Sequence, residues 1–428
     1  MIKRVVAASL VGATIEWYDF FLYGVVAGIV LNKLYFPAHD PLVSTMLAYA
    51  TFAVGFLARP FGGVIFGHLG DKIGRKSVLV MTLMIMGVST VGIGLIPTYA
   101  QIGVWAPIIL LFLRVLQGIG LGGEWGGAVL MTFEHAEPHE RGYYASIPQM
   151  GLSIGLCLAS GVVAFLSSSL TDAQFMSWGW RAAFIVSIIL VVVGMWIRLN
   201  VMESPEFKKI KEQNQQVRVP IVEVLKNNLG NVIAGMGARH IDGVFFNIFG
   251  VFSIAYLTQE LKVNRTDALL GVMMAALIMC IFIPTFGHLS DKIGRTKMYI
   301  WGSLITGFSS FPAFWLMNAN AGNTTVIWLS IIIPFGIFYA MIYGPEAALF
   351  SELFDTNVRY SGISFVYQFS GIFASGITPM IATALLKMGN GDPTMIAAYG
   401  AFSGVVSALS AWWIRVQKRK QNPAATII

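Results

Sequence analysis

At 428 residues, 56% of them hydrophobic and only 11% charged, the chain has too few polar side chains to wet the surface of a soluble protein of this size. Its formal net charge of +7 would suit a nucleic-acid partner, but the basic residues gather in short segments between long apolar runs rather than in one patch. Cys157 and Cys280 both fall inside apolar runs, so neither a disulfide framework nor a metal site is expected of them.

Crossing a bilayer takes about 20 apolar residues per helix. In chain order the first set of runs lies near 5–31, 43–66, 77–96, 105–130, 146–168 and 180–199. The first is too long for a cleavable signal and carries Glu16 and Asp19, so it reads as the first transmembrane helix. Residues 200–228 form the longest polar stretch, rich in Lys, Glu, Gln and Asn, and read as a linker on one membrane face. A second set follows near 230–257, 268–286, 298–317, 325–350, 362–385 and 395–414. The expected fold is an all-α polytopic membrane protein of twelve helices. Its parts are a six-helix half over 1–199, a linker over 200–228, a second half over 229–414 and a tail over 415–428.

With the amino terminus inside, the inside segments hold 20 of the 28 basic residues, and the opposite loops hold only Lys33, Lys262, Arg265 and Lys387. This positive-inside bias puts both termini in the cytoplasm of a bacterial-type inner membrane. The charge reports topology, and no nucleic-acid partner is expected.

An internal repeat supports two halves. Gly67-His-Leu-Gly-Asp71-Lys-Ile-Gly74-Arg75-Lys returns 220 residues later as Gly287-His-Leu-Ser-Asp291-Lys-Ile-Gly-Arg295-Thr, and each copy follows the second span of its half. A weaker echo is Glu134 to Arg141, a spacing repeated at Glu352 to Arg359. Gly67 and Gly74 suit a tight turn. Asp71 and Asp291 can accept from amides at a helix amino terminus or pair with Arg141 and Arg359. Together with Arg75 and Arg295, these residues are expected to latch one face shut in one state and release it in another. The plainer alternative is simple anchoring by the basic side chains.

These residues carry a resemblance across nearly the whole chain. The repeated loop is similar to the signature of the major facilitator superfamily, as are Arg114-Val-Leu-Gln117-Gly118 and Glu203-Ser204-Pro205. More narrowly, Glu16-Trp17-Tyr18-Asp19-Phe20, Arg59-Pro60, Gly122-Gly123-Glu124-Trp125-Gly126-Gly127 and Trp178-Gly179-Trp180-Arg181 resemble the metabolite:proton symporters, whose members carry citrate, 2-oxoglutarate, shikimate and proline or betaine. The resemblance implies alternating access between two halves around a central site. The fifth span reads Pro148-Gln149-Met150-Gly151 and lacks the proline-glycine motif of drug antiporters. The tail is shorter than the coiled coil of osmosensing members, which argues against osmosensing.

Ionisable groups inside spans are costly, so each is a functional candidate. They are Glu16, Asp19, Arg59, Arg114, Glu124, Arg239, His240, Asp242 and Glu346. Helical spacing places Glu16, Asp19 and Tyr23 on one face, Arg114, Gln117 and Glu124 on another, Arg239 with Asp242, and Tyr339, Tyr343 and Glu346 along one stripe. The first, fourth, seventh and tenth helices therefore present polar faces. A carboxyl in a low-dielectric cavity can take up and release a proton during transport, so Asp19 is the first choice for coupling, followed by Glu124, Glu16 and Asp242. Arg114 is the leading anchor for an anionic substrate and Arg239 the next, because a guanidinium forks onto a carboxylate. Arg59 either joins them or pairs with Asp19 or Glu16. Tyr18, Tyr23, Tyr339, Tyr343 and His240 complete the candidate substrate contacts, although arginine–carboxylate pairs can also serve only to hold helices together. Gly344-Pro345 suggests a break in the tenth helix beside Glu346, which alternatively sits solvated at the helix end.

The expected function is proton-coupled uptake of a small organic metabolite, a carboxylate by preference. The alternatives are a zwitterion such as proline or betaine, or proton-antiporting efflux. No phosphate-binding loop or nucleophile–base set occurs, so neither an enzyme nor a cofactor is expected. The expected partners are the substrate, protons and the bilayer, with the chain acting as a monomer.

Overall fold

A computed structural model describes residues 2–38, 40–73, 75–122, 125, 129, 132–133, 136–200, 221–354 and 359–421. The first half contains α1 (Ile2–Val26), α2 (Pro41–Ile73), α3 (Arg75–Leu95), α4 (Trp105–Leu121), α5 (Arg141–Ser169) and α6 (Asp172–Trp196). The second contains α7 (Leu229–Glu260), α8 (Arg265–Ile293), α9 (Arg295–Phe308 with Ser310–Ala319), α10 (Thr324–Ser351), α11 (Arg359–Gly371 with Thr378–Met388) and α12 (Thr394–Gln421). The fold is that of a twelve-helix, multi-pass membrane protein in two six-helix halves. Its outer surface bears it out: Phe61, Phe165, Trp196, Trp301 and Trp315 stand exposed around the molecule, a surface suited to lipid and not to water.

Burial sorts the helices. In α1 and α7, 94% of the most apolar stretch is buried inside the protein, against 33% in α6. These two helices therefore form the axis, while α6 faces lipid on most sides. The aromatic seam between them explains the arrangement: Trp17 stacks on Phe21 at 4.9 Å, Phe21 meets Phe246 at 4.8 Å, and Phe246 meets Phe335 at 5.2 Å. Such rings bury large apolar areas and hold specific mutual geometry. Both axial helices loosen into a wide π turn, at Ala27–Leu31 and Ile248–Phe252, as does α10 at Ile332–Phe338. The expected break at Gly344-Pro345 does not occur, since helix runs continuously over Ala340–Ser351. The proline is absorbed within a buried helix, and the irregularity sits a few turns earlier, around Pro334. Gly344 serves a different need: a Cβ there would lie 2.6 Å from the Ile283 carbonyl of α8.

The halves meet along α5–α8 and α2–α11. At the face where the α8–α9 turn lies, hereafter the basic face, α5 and α8 pack so closely that Gly287 and Gly142 approach through backbone atoms. At the far face Arg265 of α8 donates to Asp172 at 2.9 Å and to Ser167 at 2.9 Å, while Lys387 of α11 donates to Asp40. Both acids belong to the first half and both bases to the second. Contacts between the halves therefore exist at both faces among the described residues.

The far-face pairs carry a pH prediction. The Lys387 ammonium and the Leu42 amide hold the exposed Asp40 carboxyl below the usual carboxylate range. A depressed carboxyl contributes above its ordinary value near pH 4 and loses that contribution as pH falls through the depressed value. Far-face closure is therefore expected to stay unchanged from pH 8 to pH 5 and to loosen only below about pH 4. Cross-linking between cysteines placed at Asp40 and Lys387 is not the test, since it removes the pair. Fluorescence transfer between dyes on neighbouring loops, followed against pH, reads the closure directly. A transition centred near pH 6 would assign control to other groups.

Candidate functional site

Two polar clusters flank the aromatic seam, one in each half. In the first, Arg114 of α4 is fully buried, with its guanidinium 4.0 Å from the Phe20 ring centroid, 4.6 Å from Tyr23 and 4.8 Å from Phe52. Its Nη1 donates to Gln117 Oε1 at 2.8 Å, and Gln117 Nε2 donates to Thr90 Oγ1 of α3 at 2.8 Å. Thr90 and Ser187 flank Asp19, whose two carboxyl oxygens are buried without a hydrogen-bond partner. Two neutral side chains, Gln117 and Thr90, thus stand between the cation and the carboxyl. Gly55 makes room for it, because a Cβ there would stand 2.7 Å from Arg114 Nε.

The second cluster centres on Arg239 of α7. Its Nε lies 3.4 Å from Asp242 and 3.9 Å from Glu346, its Nη1 donates to Ser370 Oγ at 3.1 Å, and its guanidinium stacks 3.7 Å from the Tyr367 ring centroid. Tyr339 Oη donates to Asp242. Tyr343 stacks on Tyr339 at 5.5 Å. Glu346 is fully buried rather than solvated at a helix end. Arg59 of α2 bridges the halves, with Trp17, Phe20 and Phe56 on one side and Tyr367 on the other, all at 5.2 to 5.9 Å. It makes no hydrogen bond to Asp19, whose oxygens are free of partners, while Glu16 is buried and engaged.

Not every candidate points inward. Tyr18 donates to the Ala183 carbonyl of α6 at 2.8 Å and so faces the neighbouring helix of its own half. His240 lies edge-on to Tyr399 of α12, away from Arg239's carboxyl partners. Glu124 lies outside the described residues.

Sequence reasoning missed the contributions of α5 and α11. Gln149 Nε2 donates to the Tyr343 carbonyl at 2.5 Å, and Gln368 Nε2 donates to the Gly122 carbonyl at 2.9 Å. The two glutamines are 219 positions apart, close to the repeat distance, so each half sends one amide into the other. Trp125 stacks on Tyr367 at 3.6 Å in the same layer. Each helix carries a single glutamine among scattered serines and tyrosines, and nothing in that spacing marks the glutamine as the residue that crosses the interface.

At the basic face Asp291 accepts from the Gly142 amide at 2.9 Å and the Tyr143 amide at 3.0 Å, the first turn of α5 in the other half. A carboxylate there satisfies amides that the helix cannot pair itself and meets the positive end of its dipole. Arg295 donates to Asp291 at 2.7 Å and also binds Glu352, which takes Lys418 at 2.8 Å. Arg141 and Arg359 lie over the Phe133 ring at 4.8 and 5.5 Å, and Arg359 Nε donates to the Phe354 carbonyl. In the first copy Gly74 and the side chains of Gly67, Asp71 and Arg75 lie outside the described residues.

Two six-helix halves with buried charged clusters on either side of an aromatic seam define a polytopic membrane carrier. Residues 5–229 match the family model described as sugar (and other) transporter, and residues 235–426 match that of the major facilitator superfamily. The chain is 38% identical to the shikimate transporter of Escherichia coli K12, over 97% of this chain and 95% of that one. It is 41% identical to the inner membrane metabolite transport protein YhjE of the same organism, over 90% and 88%. It is 34% identical to the proline/betaine transporter of Salmonella typhimurium, over 93% and 80%. Among solved structures, a partially occluded inward-open form of the xylose transporter XylE from E. coli superposes with a TM-score of 0.76 at 21% identity, covering 96% and 97% of the two chains. The chain belongs to the major facilitator superfamily, and its relatives are those expected of a metabolite:proton symporter.

Proposed function

We propose that the protein takes up a small organic carboxylate together with protons, by alternating access between its halves. The observation that carries this reading is the buried charge. Among the described residues, three guanidiniums (Arg59, Arg114 and Arg239) and four carboxyls (Glu16, Asp19, Asp242 and Glu346) are buried inside the molecule. Leaving charge uncompensated in such surroundings costs several kcal/mol or more. An anion entering this centre raises the negative excess, and a proton entering with it cancels that excess. Asp19 takes the proton, since only the hydroxyls of Thr90 and Ser187 flank its carboxyl and no cation pairs with it among the described residues. Arg114 and Arg239 hold the substrate, one from each half, so that binding draws the halves together.

The orientation follows the basic residues: the basic face is cytoplasmic, and Asp291 releases α5 when that face opens. The halves are 1–199 and 229–414, joined by the 200–228 linker, and a single chain is the working unit. The similarity to the shikimate transporter supports a carboxylate. The proline/betaine relatives favour, as second reading, a zwitterion whose carboxylate uses the same arginines.

Proteoliposomes loaded with a pH-sensitive dye test the proposal, with shikimate, citrate, 2-oxoglutarate, proline and betaine added in turn. Substrate-specific proton entry is expected from the wild type, and Asp19→Asn is expected to abolish it while retaining substrate exchange. Uptake without proton movement would leave a facilitator and reduce the buried carboxyls to structure.

A further inference from the structure

Glu346 has no role in the mechanism so far, yet it is the most enclosed carboxyl of the second half. Its side chain is fully buried, and neither oxygen has a hydrogen-bond partner. It shares Arg239 with Asp242: the guanidinium Nε lies 3.9 Å from one carboxyl and 3.4 Å from the other, and no hydrogen bond closes at that nitrogen. Asp242 has the better position, because Tyr339 Oη donates to it.

Four helices of the second half and one of the first bring titratable groups to this balance. From α7 come Arg239 and Asp242, from α9 Tyr299, from α10 itself Tyr339 and Tyr343, from α11 Tyr367, and from α2 Arg59, which acts on Asp242. The α8 side offers only backbone at Ile283, Phe286 and Gly287 beside Gly344; α5 brings the neutral Gln149, whose amide donates to the Tyr343 carbonyl, and Val129, Phe133 and Ala145 cluster with Ala347 and Ala348 among the described residues. The tyrosines are neutral at physiological pH. One guanidinium at ion-pair distance therefore serves two carboxyls, and the remote Arg59 is shared with the aromatic box between the halves.

We propose that Glu346 and Asp242 form a second proton-binding site, in the C-terminal half, whose occupation releases Arg239 to the substrate carboxylate. One proton on the pair leaves Arg239 matched by a single carboxylate. A substrate carboxylate can then take the place at Arg239 that the protonated carboxyl has left. The protein carboxylate and the substrate anion thus compete for one guanidinium, so proton and anion binding favour each other at that point without any distant signal. The inference rests on the symport reading and adds to it a site separate from Asp19.

The test compares wild type, Glu346→Gln, Glu346→Asp and Asp19→Asn in proteoliposomes, using shikimate as probe, or the first panel carboxylate that moves if shikimate does not. Three readings are taken: counterflow of labelled substrate, protons carried per substrate, and substrate Kd against pH. Glu346→Gln is expected to keep counterflow, to carry one proton fewer per substrate than wild type, and to lose one tenfold step of Kd per pH unit in the alkaline range, the linkage of a single proton. Glu346→Asp is expected to restore the pH dependence. An unchanged proton ratio and pH slope in Glu346→Gln would overturn the proposal while the symport reading stands. If Glu346→Gln loses counterflow, Glu346→Asp decides: counterflow with the full pH slope supports a proton site, and counterflow with a flattened slope overturns it. Absence of substrate-linked proton entry in the wild type would overturn both readings at once.

Discussion

Replacing Arg239 with alanine is expected to remove transport and to cost about 3–5 kcal/mol of stability, the range for taking one partner out of a buried ion cluster. The residue is 2% exposed and compensates Asp242 and Glu346 together, so its loss leaves two carboxyls facing each other in a dry interior. It also supplies the guanidinium stacked on the Tyr367 ring and the donor to Ser370. Folded proteins hold only about 5–15 kcal/mol in reserve, so a loss of that size lowers the amount of folded carrier in the membrane. Arg239→Lys keeps the charge but not the planar fork, and is expected to fall between the two in stability while transporting poorly. Replacing Arg239, Asp242 and Glu346 together with apolar residues of similar volume is expected to recover stability without recovering transport. Thermal midpoints in detergent and uptake in vesicles separate these outcomes. A wild-type midpoint in Arg239→Ala would show that this guanidinium does not balance the cluster.

The second large effect is expected at Gly118. A Cβ on Gly118 would lie 2.1 Å from the Gly55 carbonyl oxygen and 2.8 Å from the Ala58 Cβ, and one on Gly62 would lie 2.0 Å from the Ile119 carbonyl oxygen. Here α2 and α4 touch backbone to backbone, and no flexible side chain can yield. In a bilayer, where lipid is as apolar as leucine, such close approach is a main source of helix association. Gly118→Val forces the helices apart. It is expected to cost more than the roughly 1–3 kcal/mol of ordinary overpacking, because the obstacle is main chain. The same contact positions Arg59 on α2 and Arg114 on α4, so transport should fall further than stability. Gly322→Ala is the control, since nothing lies within 4 Å of a Cβ there and the residue has no positive φ. Normal expression and uptake in Gly118→Val would mean that α2 and α4 can part without consequence.

The sequence alone determined those features that depend on one helix at a time. Apolar runs long enough to cross a bilayer located the spans, and the 220-residue echo of Gly67–Lys76 divided them into halves. The 3.6-residue period then put Asp19, Arg114, Gln117, Arg239, Asp242, Tyr339, Tyr343 and Glu346 on the faces of α1, α4, α7 and α10, and the structure buries all of them. Periodicity fixes a direction from a helix axis, and it says nothing of what stands opposite. Only the tertiary structure decided that Tyr18 turns to α6, that His240 turns to Tyr399, and that Thr90 and Gln117 separate Asp19 from Arg114. It also decided that α5 and α11 each deliver a single glutamine across the interface, and that Tyr367 and Ser370 complete the Arg239 cluster. These contacts join residues up to 246 positions apart. They arise from how twelve helices pack, because a lone polar residue on an apolar helix becomes a partner only when another helix brings it an unpaired donor or acceptor.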